Sequence, residues 1–274
     1  MNESQKFSFG DNSVASAYDN TLVPILFEPW AAQLIEEYGP WEGRSILDVA
    51  TGSGIFAQLV AEQVGPGGTV LGVDISGEML ALAKSRCADS NPEVKFIESP
   101  AYPLDISSDS IDFVVCQQGF QFFPDKDSSA QEIFRVLCAG GQVVITTWRP
   151  VAECQFFGSI CNALNMIGEP EVADMMRRPF DFMPDSQLTE PFESAGFVNV
   201  QLIHQEQDLV IDKGVTHAIE VAYATPIRPK LLALSDEQQT EFQKALTKLL
   251  HELSADGITM GRMASNVLSA KKQV

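Results

Sequence analysis

Five short apolar segments recur between residues 45 and 148, with helical periodicity or turn residues between them, and this rhythm limits the folds open to the chain. SILDVA (45–50) is apolar with one interrupting acid and runs into a glycine turn. Ile55, Phe56, Leu59, Val60 and Val64 then fall at helical spacing until Gly65-Pro66-Gly67-Gly68 stops the helix. TVLGVD (69–74) is the second strand, and Ser76 is a candidate N-cap for a helix turning Met79, Leu80, Ala83 and Cys87 inward. VKFIE (94–98), IDFVVC (111–116) and QVVITTW (142–148) complete the set. Before the last of these, Ala130, Ile133, Phe134 and Leu137 predict a helix closed by Gly140-Gly141. Continuous apolar strands separated by helices predict a parallel sheet covered on both faces. Right-handed crossovers make that a Rossmann-like, doubly wound α/β fold.

Beyond Trp148 the pattern loosens. SQLTEPFESAGF (186–197) reads as a helix ending at Gly196, VNVQLIHQEQDLV (198–210) as a strand, and Thr216 to Tyr223 as helical. Ser235 with Gln238 forms a capping-box start for a helix whose apolar face is Phe242, Leu246, Leu249, Leu250 and Leu253. MASNVLSA near the C-terminus reads as a last edge strand. The expectation is one domain with a mostly parallel, seven-stranded sheet. Its core is 41–148 plus 186–212 and 262–273, and its helical cap elements are 1–40, 149–185 and 213–256.

Chemistry in such a sheet gathers beyond the carboxyl ends of the strands, where the strand order reverses. Gly52-Ser53-Gly54-Ile55-Phe56-Ala57 satisfies GxGxxG/A, a weak signal by itself. Asp48, just before it, discriminates: a carboxylate at that mouth repels a pyrophosphate and favours an ammonium or sulfonium. Asp74 ends the second strand 20 residues past Gly54, placed to accept hydrogen bonds from ribose hydroxyls. Gln117 and Gln118 end the fourth strand with amides that donate and accept. A ribose beside a cation, with no phosphate, is the profile of S-adenosylmethionine. A nicotinamide-dependent oxidoreductase and a non-catalytic S-adenosylmethionine-binding protein are the alternatives. Asp48 and the lack of a Tyr-Lys or His constellation disfavour the first.

LDVATGSG (47–54), VDISGEML (73–80), SSDSIDFVVCQQGFQFFPD (107–125) and EIFRVLCAGGQVVITTW (132–148) stand in order and spacing that resemble the class I S-adenosylmethionine-dependent methyltransferases. The similarity is to the small-molecule branch that includes ubiquinone/menaquinone methyltransferases. It implies methyl transfer to an O, N or C atom of a small acceptor. It also implies Asp48 near the methionine amine, with Ala50, Gly52 and Gly54 lining the cofactor; Ala50 stands where a first glycine is common. Asp74 would meet the ribose, and Ile75 and Met79 the adenine. Ser99-Pro100 replaces a frequent aspartate, leaving Pro100 and the Ala101 amide for the adenine edge. Tyr18 resembles a cofactor-covering tyrosine. The quinone-specific enzymes carry a fourth-strand sequence different from CQQGFQFF (116–123), so their substrate is not carried over. Phe120, Phe122, Trp148 and Arg149 are candidate substrate contacts, and Tyr18, His204 and Tyr223 are candidate bases.

Charge trims the partner list. With 18 basic against 37 acidic residues the formal net charge is −19, and the only basic pairs, Arg177-Arg178 and Lys271-Lys272, are poor footprints for nucleic acid or an anionic membrane. The first residues, MNESQKFSFGDN, lack a signal-peptide pattern. Five widely spaced cysteines without CxxC predict reduced thiols in a cytoplasmic protein, and three histidines without HxxxH predict no metal site. The oligomeric state stays open, a homodimer included.

Overall fold

The computed structural model describes residues 12–181 and 183–274; residues 1–11 of the expected N-terminal covering, and Phe182, lie outside the described residues. In chain order the strands are β1 (Ser45–Val49), β2 (Thr69–Asp74), β3 (Val94–Glu98), β4 (Ile111–Gln117), β5 (Leu137–Trp148), β6 (Val198–Ile211), β7 (Ser254–Ala255) and β8 (Ile258–Lys271). The α-helices are α1 (Asn12–Ala17), α2 (Glu28–Tyr38), α3 (Ile55–Val64), α4 (Gly77–Arg86), α5 (Lys126–Val136), α6 (Gln155–Met166) and α7 (Pro170–Arg177). They continue with α8 (Asp185–Ala195), α9 (Gly214–Ala222), α10 (Arg228–Ala233) and α11 (Asp236–His251), and a π-helix spans Tyr18–Phe27.

The strand order is β3-β2-β1-β4-β5-β8-β6, with the two-residue β7 paired to β8. Pairs β1–β2, β1–β4, β2–β3 and β4–β5 are parallel. The order reverses between β1 and β4, so their carboxyl ends open the crevice where an α/β sheet binds ligands.

Packing divides the described residues into two compact units: a sheet unit of 28–147, 183–205 and 265–274, and a helical unit drawn from 12–27, 148–181 and 206–264. In the sheet unit, neighbouring residues of a strand enter opposite cores. Ile46, Phe113, Val115, Val144 and Val267 pack with Ala31, Trp41, Phe56 and Val60. Leu47, Val114, Val143, Ile145 and Leu268 pack with Ile133, Leu188 and Phe192. Two covered faces explain why these strands read as continuous apolar runs.

Two sequence expectations are corrected. MASNVLSA is not an edge: it lies in β8, between β5 and β6, and β6 is the edge. Val267 and Leu268 enter opposite cores, which an edge strand open to water on one side does not need. Gly140-Gly141 does not close the preceding helix either. Helix α5 ends at Val136, and Leu137 is already extended at φ −67 and ψ 138. The glycines sit in a bulge of β5, where pairing jumps from Ile111↔Leu137 to Phe113↔Gln142. The end of α5 is capped by Lys272, whose Nζ donates to the carbonyls of Phe134 (2.9 Å) and Leu137 (2.7 Å).

The remaining elements follow their local chemistry. Ser76 Oγ accepts the Met79 N–H at 3.2 Å, and Asp125 Oδ1 accepts that of Ser128 at 2.9 Å, so α4 and α5 start on side-chain caps. Gly196, at φ 99, ends α8 in the left-handed conformation. The helical unit packs α6 against α7 and α11, and α9 against α11. Ser235 and Gln238 form the expected reciprocal capping box on α11, which buries Phe242, Leu246 and Leu250.

Candidate active site

The loop leaving β1 is built on left-handed backbone conformations that glycine enters easily and alanine only at a cost. Ala50, Gly52 and Gly54 have φ of 58, 56 and 81. A Cβ at Gly54 would lie 2.9 Å from Ala83 Cβ, so this glycine lets α3 pack on α4. A Cβ at Gly52 would meet nothing within 4 Å. Gly52 therefore borders open space and lets a ligand approach the backbone, while Gly54 N-caps α3 without a side-chain partner. Ala50 holds a left-handed φ of 58, and its methyl group limits the next turn. A Cβ on Gly119, beyond β4, would come within 2.5 Å of Ala50 Cβ.

Asp48 lies beneath this loop at 1% exposure. Thr51 Oγ1 donates to its Oδ2 at 2.6 Å, and the Ala57 N–H in the first turn of α3 also faces it. Burial pushes its carboxyl up to about 7, against the opposing Thr51 hydrogen bond, and the Asp74 charge adds to the rise. The sequence places this acid at the mouth of the site. The structure tucks it under the loop, already partnered, so its charge reaches a ligand as a field through the loop.

Asp74 is the strut between the loop and α4. Its Oδ2 accepts the Gly52 N–H and its Oδ1 the Ser76 N–H, each at 2.9 Å. The carboxylate keeps acceptor capacity for a hydroxyl. Burial raises this carboxyl too, while the N–H groups of Ser76, Gly52 and Ile75 oppose the rise. Beside it Ile75 is 72% exposed, whereas Met79 is 3% exposed and belongs to the core. Ser99 N–H holds the next turn to the Asp74 carbonyl at 3.0 Å. Pro100 is exposed and Ala101 half-buried there.

Gln117 ends β4 half-buried, and Gln118 follows at 5% exposure with φ 57. The Gln118 N–H points to Thr146 O and Oγ1, both at 3.1 Å. Its Nε2 donates to Ser265 Oγ at 2.9 Å. Around it lies a buried polar group that sequence reasoning missed: Thr146, Thr147, Ser265 and Asn266 are each no more than 4% exposed. Its only trace in the sequence is polar residues interrupting the apolar runs of QVVITTW and MASNVLSA.

The other candidates disperse. Phe120 is fully buried against Phe123 and Phe192, with ring centroids 5.4 Å from each, which makes it a core residue and not a substrate contact. Phe122 is 43% exposed. His204, on edge strand β6, faces Asp185 Oδ1 at 3.7 Å. Tyr18, Trp148, Arg149 and Tyr223 belong to the helical unit. There Tyr18 packs on Phe27 (5.2 Å), Trp148 on Phe27 (6.2 Å) and Phe180 (6.1 Å). Arg149 is held by both carboxylate oxygens of Glu153 at 2.6 and 3.0 Å, and the Tyr223 hydroxyl receives Gln243 Nε2 at 3.4 Å.

A sheet of this order, with a left-handed glycine loop after β1 and a backbone-clamped carboxylate ending β2, fits a nucleoside. The chain is an S-adenosylmethionine-dependent methyltransferase. Residues 3–205 match the model of the ubiE/COQ5 methyltransferase family, and the chain belongs to that family. Its relatives include the demethylmenaquinone methyltransferase of Lactococcus lactis, 31% identical over 69% of this chain and 81% of that one. The Staphylococcus aureus enzyme of the same name is 30% identical over 69% and 84%. The fold is shared with Haemonchus contortus phosphoethanolamine N-methyltransferase 2, solved with phosphomonomethylethanolamine and S-adenosylhomocysteine. That likeness has TM-score 0.64 at 18% identity, covering all of this chain and 61% of that one. The family sets aside the nicotinamide alternative.

Proposed function

We propose that the chain transfers the methyl group of S-adenosylmethionine to a small, uncharged aromatic acceptor. The observation that carries the cofactor assignment is Asp74 clamping the Gly52 and Ser76 N–H groups beside an exposed Ile75 and an unobstructed Gly52. In this assignment Asp74 receives the ribose hydroxyls, and Ile75 carries the adenine face with Met79 supporting it from the core. Pro100 and the Ala101 N–H border the adenine edge. Ala50, Gly52, Gly54 and Gln117 surround the methionine portion, with Asp48 supplying negative potential from below.

Bound S-adenosylmethionine supplies an electrophilic methyl group on a sulfonium. In-line displacement at that carbon asks the protein mainly for position and for exclusion of water. The aromatic class draws on the named relatives, since demethylmenaquinone is the acceptor in their names. The quinone itself is not assigned. Uncharged character draws on the polar group around Gln118, in which Thr146, Thr147, Ser265 and Asn266 are all neutral.

The two units are read as one methyltransferase. A cytoplasmic location is supported by five free cysteines, four of them buried. No helix among the described residues is long and apolar enough to cross a membrane. The test is calorimetry with S-adenosylhomocysteine and NADH, followed by mass-spectrometric product detection across phenols, hydroquinones, aromatic amines and quinones. Binding of S-adenosylhomocysteine alone and methylation of an aromatic member are expected. Preference for NADH, or methylation confined to charged aliphatic amines, would reject the proposal.

A further inference from the structure

The Gln118 side chain is half-used. Its Nε2 donates to Ser265 Oγ at 2.9 Å. Ser265 Oγ in turn lies 2.9 Å from the Thr147 carbonyl and 3.1 Å from that of Asn266, so its single proton is committed to a carbonyl. The hydroxyl can therefore only accept from Gln118, and this fixes the amide with Nε2 toward Ser265 and Oε1 away from it. Oε1 is buried and has no hydrogen-bond partner among the described residues. A buried carbonyl left in that state is destabilising, and natural proteins keep such groups chiefly where something else supplies the donor.

Placement indicates what supplies it. The backbone N–H of Gln118 leans toward Thr146 on β5 and its amide toward Ser265 on β8. In the strand order these lie across β4 from β1 and β2, which carry Asp48 and Asp74. The Nε2 contact thus holds the amide on the side of β4 away from the ribose and loop contacts, with Oε1 pointing away from Ser265. Backbone φ of 57 holds it there, a conformation that few residues other than glycine, asparagine and aspartate adopt without cost.

We propose that Gln118 recognises the methyl acceptor, its Oε1 receiving a hydrogen bond from a neutral O–H or N–H that the acceptor carries. This rests on the aromatic acceptor class proposed above and moves Gln118 from the cofactor set, where the sequence places it, to the acceptor. A site built to take one hydrogen bond rejects analogues that lack the donor, because the carbonyl is then left unpaired. Ser265 is the positioning residue that aims the amide.

The test uses the full chain loaded with S-adenosylhomocysteine. The donor-bearing probe is 1,4-dihydroxynaphthalene, and its dimethyl ether is the matched probe without a donor. Calorimetry is expected to show the diol binding at least about tenfold tighter than the diether. Gln118→Met should narrow the difference to about twofold while S-adenosylhomocysteine affinity holds. Gln118→Leu repeats the comparison if the methionine variant does not fold. Equal binding of diol and diether to the parent, or binding of neither, overturns the proposal. A loss of S-adenosylhomocysteine affinity of about tenfold in the variant returns Gln118 to the cofactor and also overturns it. The aromatic class is decided separately, by product formation across the acceptor panel.

Discussion

The sheet unit and the helical unit solve different problems with different chemistry. In the sheet unit the candidate site is made of backbone: left-handed loop residues, N–H groups gripping Asp74, and glycines where a Cβ would strike Ala50 or Ala83. The helical unit offers instead a row of rings from Tyr18 through Phe27, Trp148 and Phe180 to Phe157, successive centroids lying 4.9–6.2 Å apart. Backbone-built sites depend on contiguous sequence and tolerate little change. Ring packing draws on separate segments and accepts many substitutions of similar volume. The comparison teaches that the cofactor-binding function and the apolar packing are carried by different stretches of chain, so substitutions should separate them.

The largest effect is expected from Asp74→Ala. It removes the acceptor of two N–H groups and the proposed ribose ligand, so S-adenosylhomocysteine affinity should fall about 100-fold, since charged hydrogen bonds contribute about 1.5–3 kcal/mol each. Calorimetry reads this directly, and parental affinity would break the sheet-unit assignment. Next comes Gly119→Ala. Its new Cβ would be 2.5 Å from Ala50 Cβ, so the loop must shift. Stability should drop by about 1–3 kcal/mol, the usual cost of overpacking, together with a clear loss of cofactor affinity. A urea melt superimposable on the parent's would show that the loop is softer than its packing implies.

Asp48 gives a pH signature. Its folded carboxyl is raised to about 7 by burial, well above the ordinary value of 3.8. Between those values the folded state binds a proton that the unfolded state does not, so stability falls as pH rises toward 7. A bound cation favours the ionised form, so S-adenosylmethionine affinity should rise by up to about tenfold from pH 6 to pH 8. Asp48→Asn should flatten both trends. A pH-independent affinity in the parent would detach Asp48 from the cofactor. The smallest effect is expected from His204→Asn. His204 faces Asp185 on the edge strand, outside the assembled loop residues, so turnover should stay within about twofold. A larger loss would restore it as a candidate base.

How much of this was legible in the sequence follows from the range of the forces involved. The strands from β1 to β4, the α3 and α4 helices and the Ser76 and Ser235 caps are set by neighbours within a few residues, and all stand where periodicity and punctuation place them. The Gly140-Gly141 bulge escaped because glycine marks helix ends and strand bulges equally well, and only the pairing of β5 with β4 distinguishes them. The position of β8 escaped because an apolar run does not say which strands flank it.

The sequence by itself determined the doubly wound fold, the glycine loop and the two strand-end carboxylates, because each is encoded in contiguous residues whose conformations are locally constrained. Only the tertiary structure decided that Asp48 is buried under the loop and Phe120 lies in the core, since burial depends on what distant segments pack overhead. It also brought Ser265 into one buried hydrogen-bonded group with Gln118 and Thr147, 147 and 118 residues away along the chain. No local signal reports such a contact, because the cost of closing long loops is met only when the whole sheet assembles.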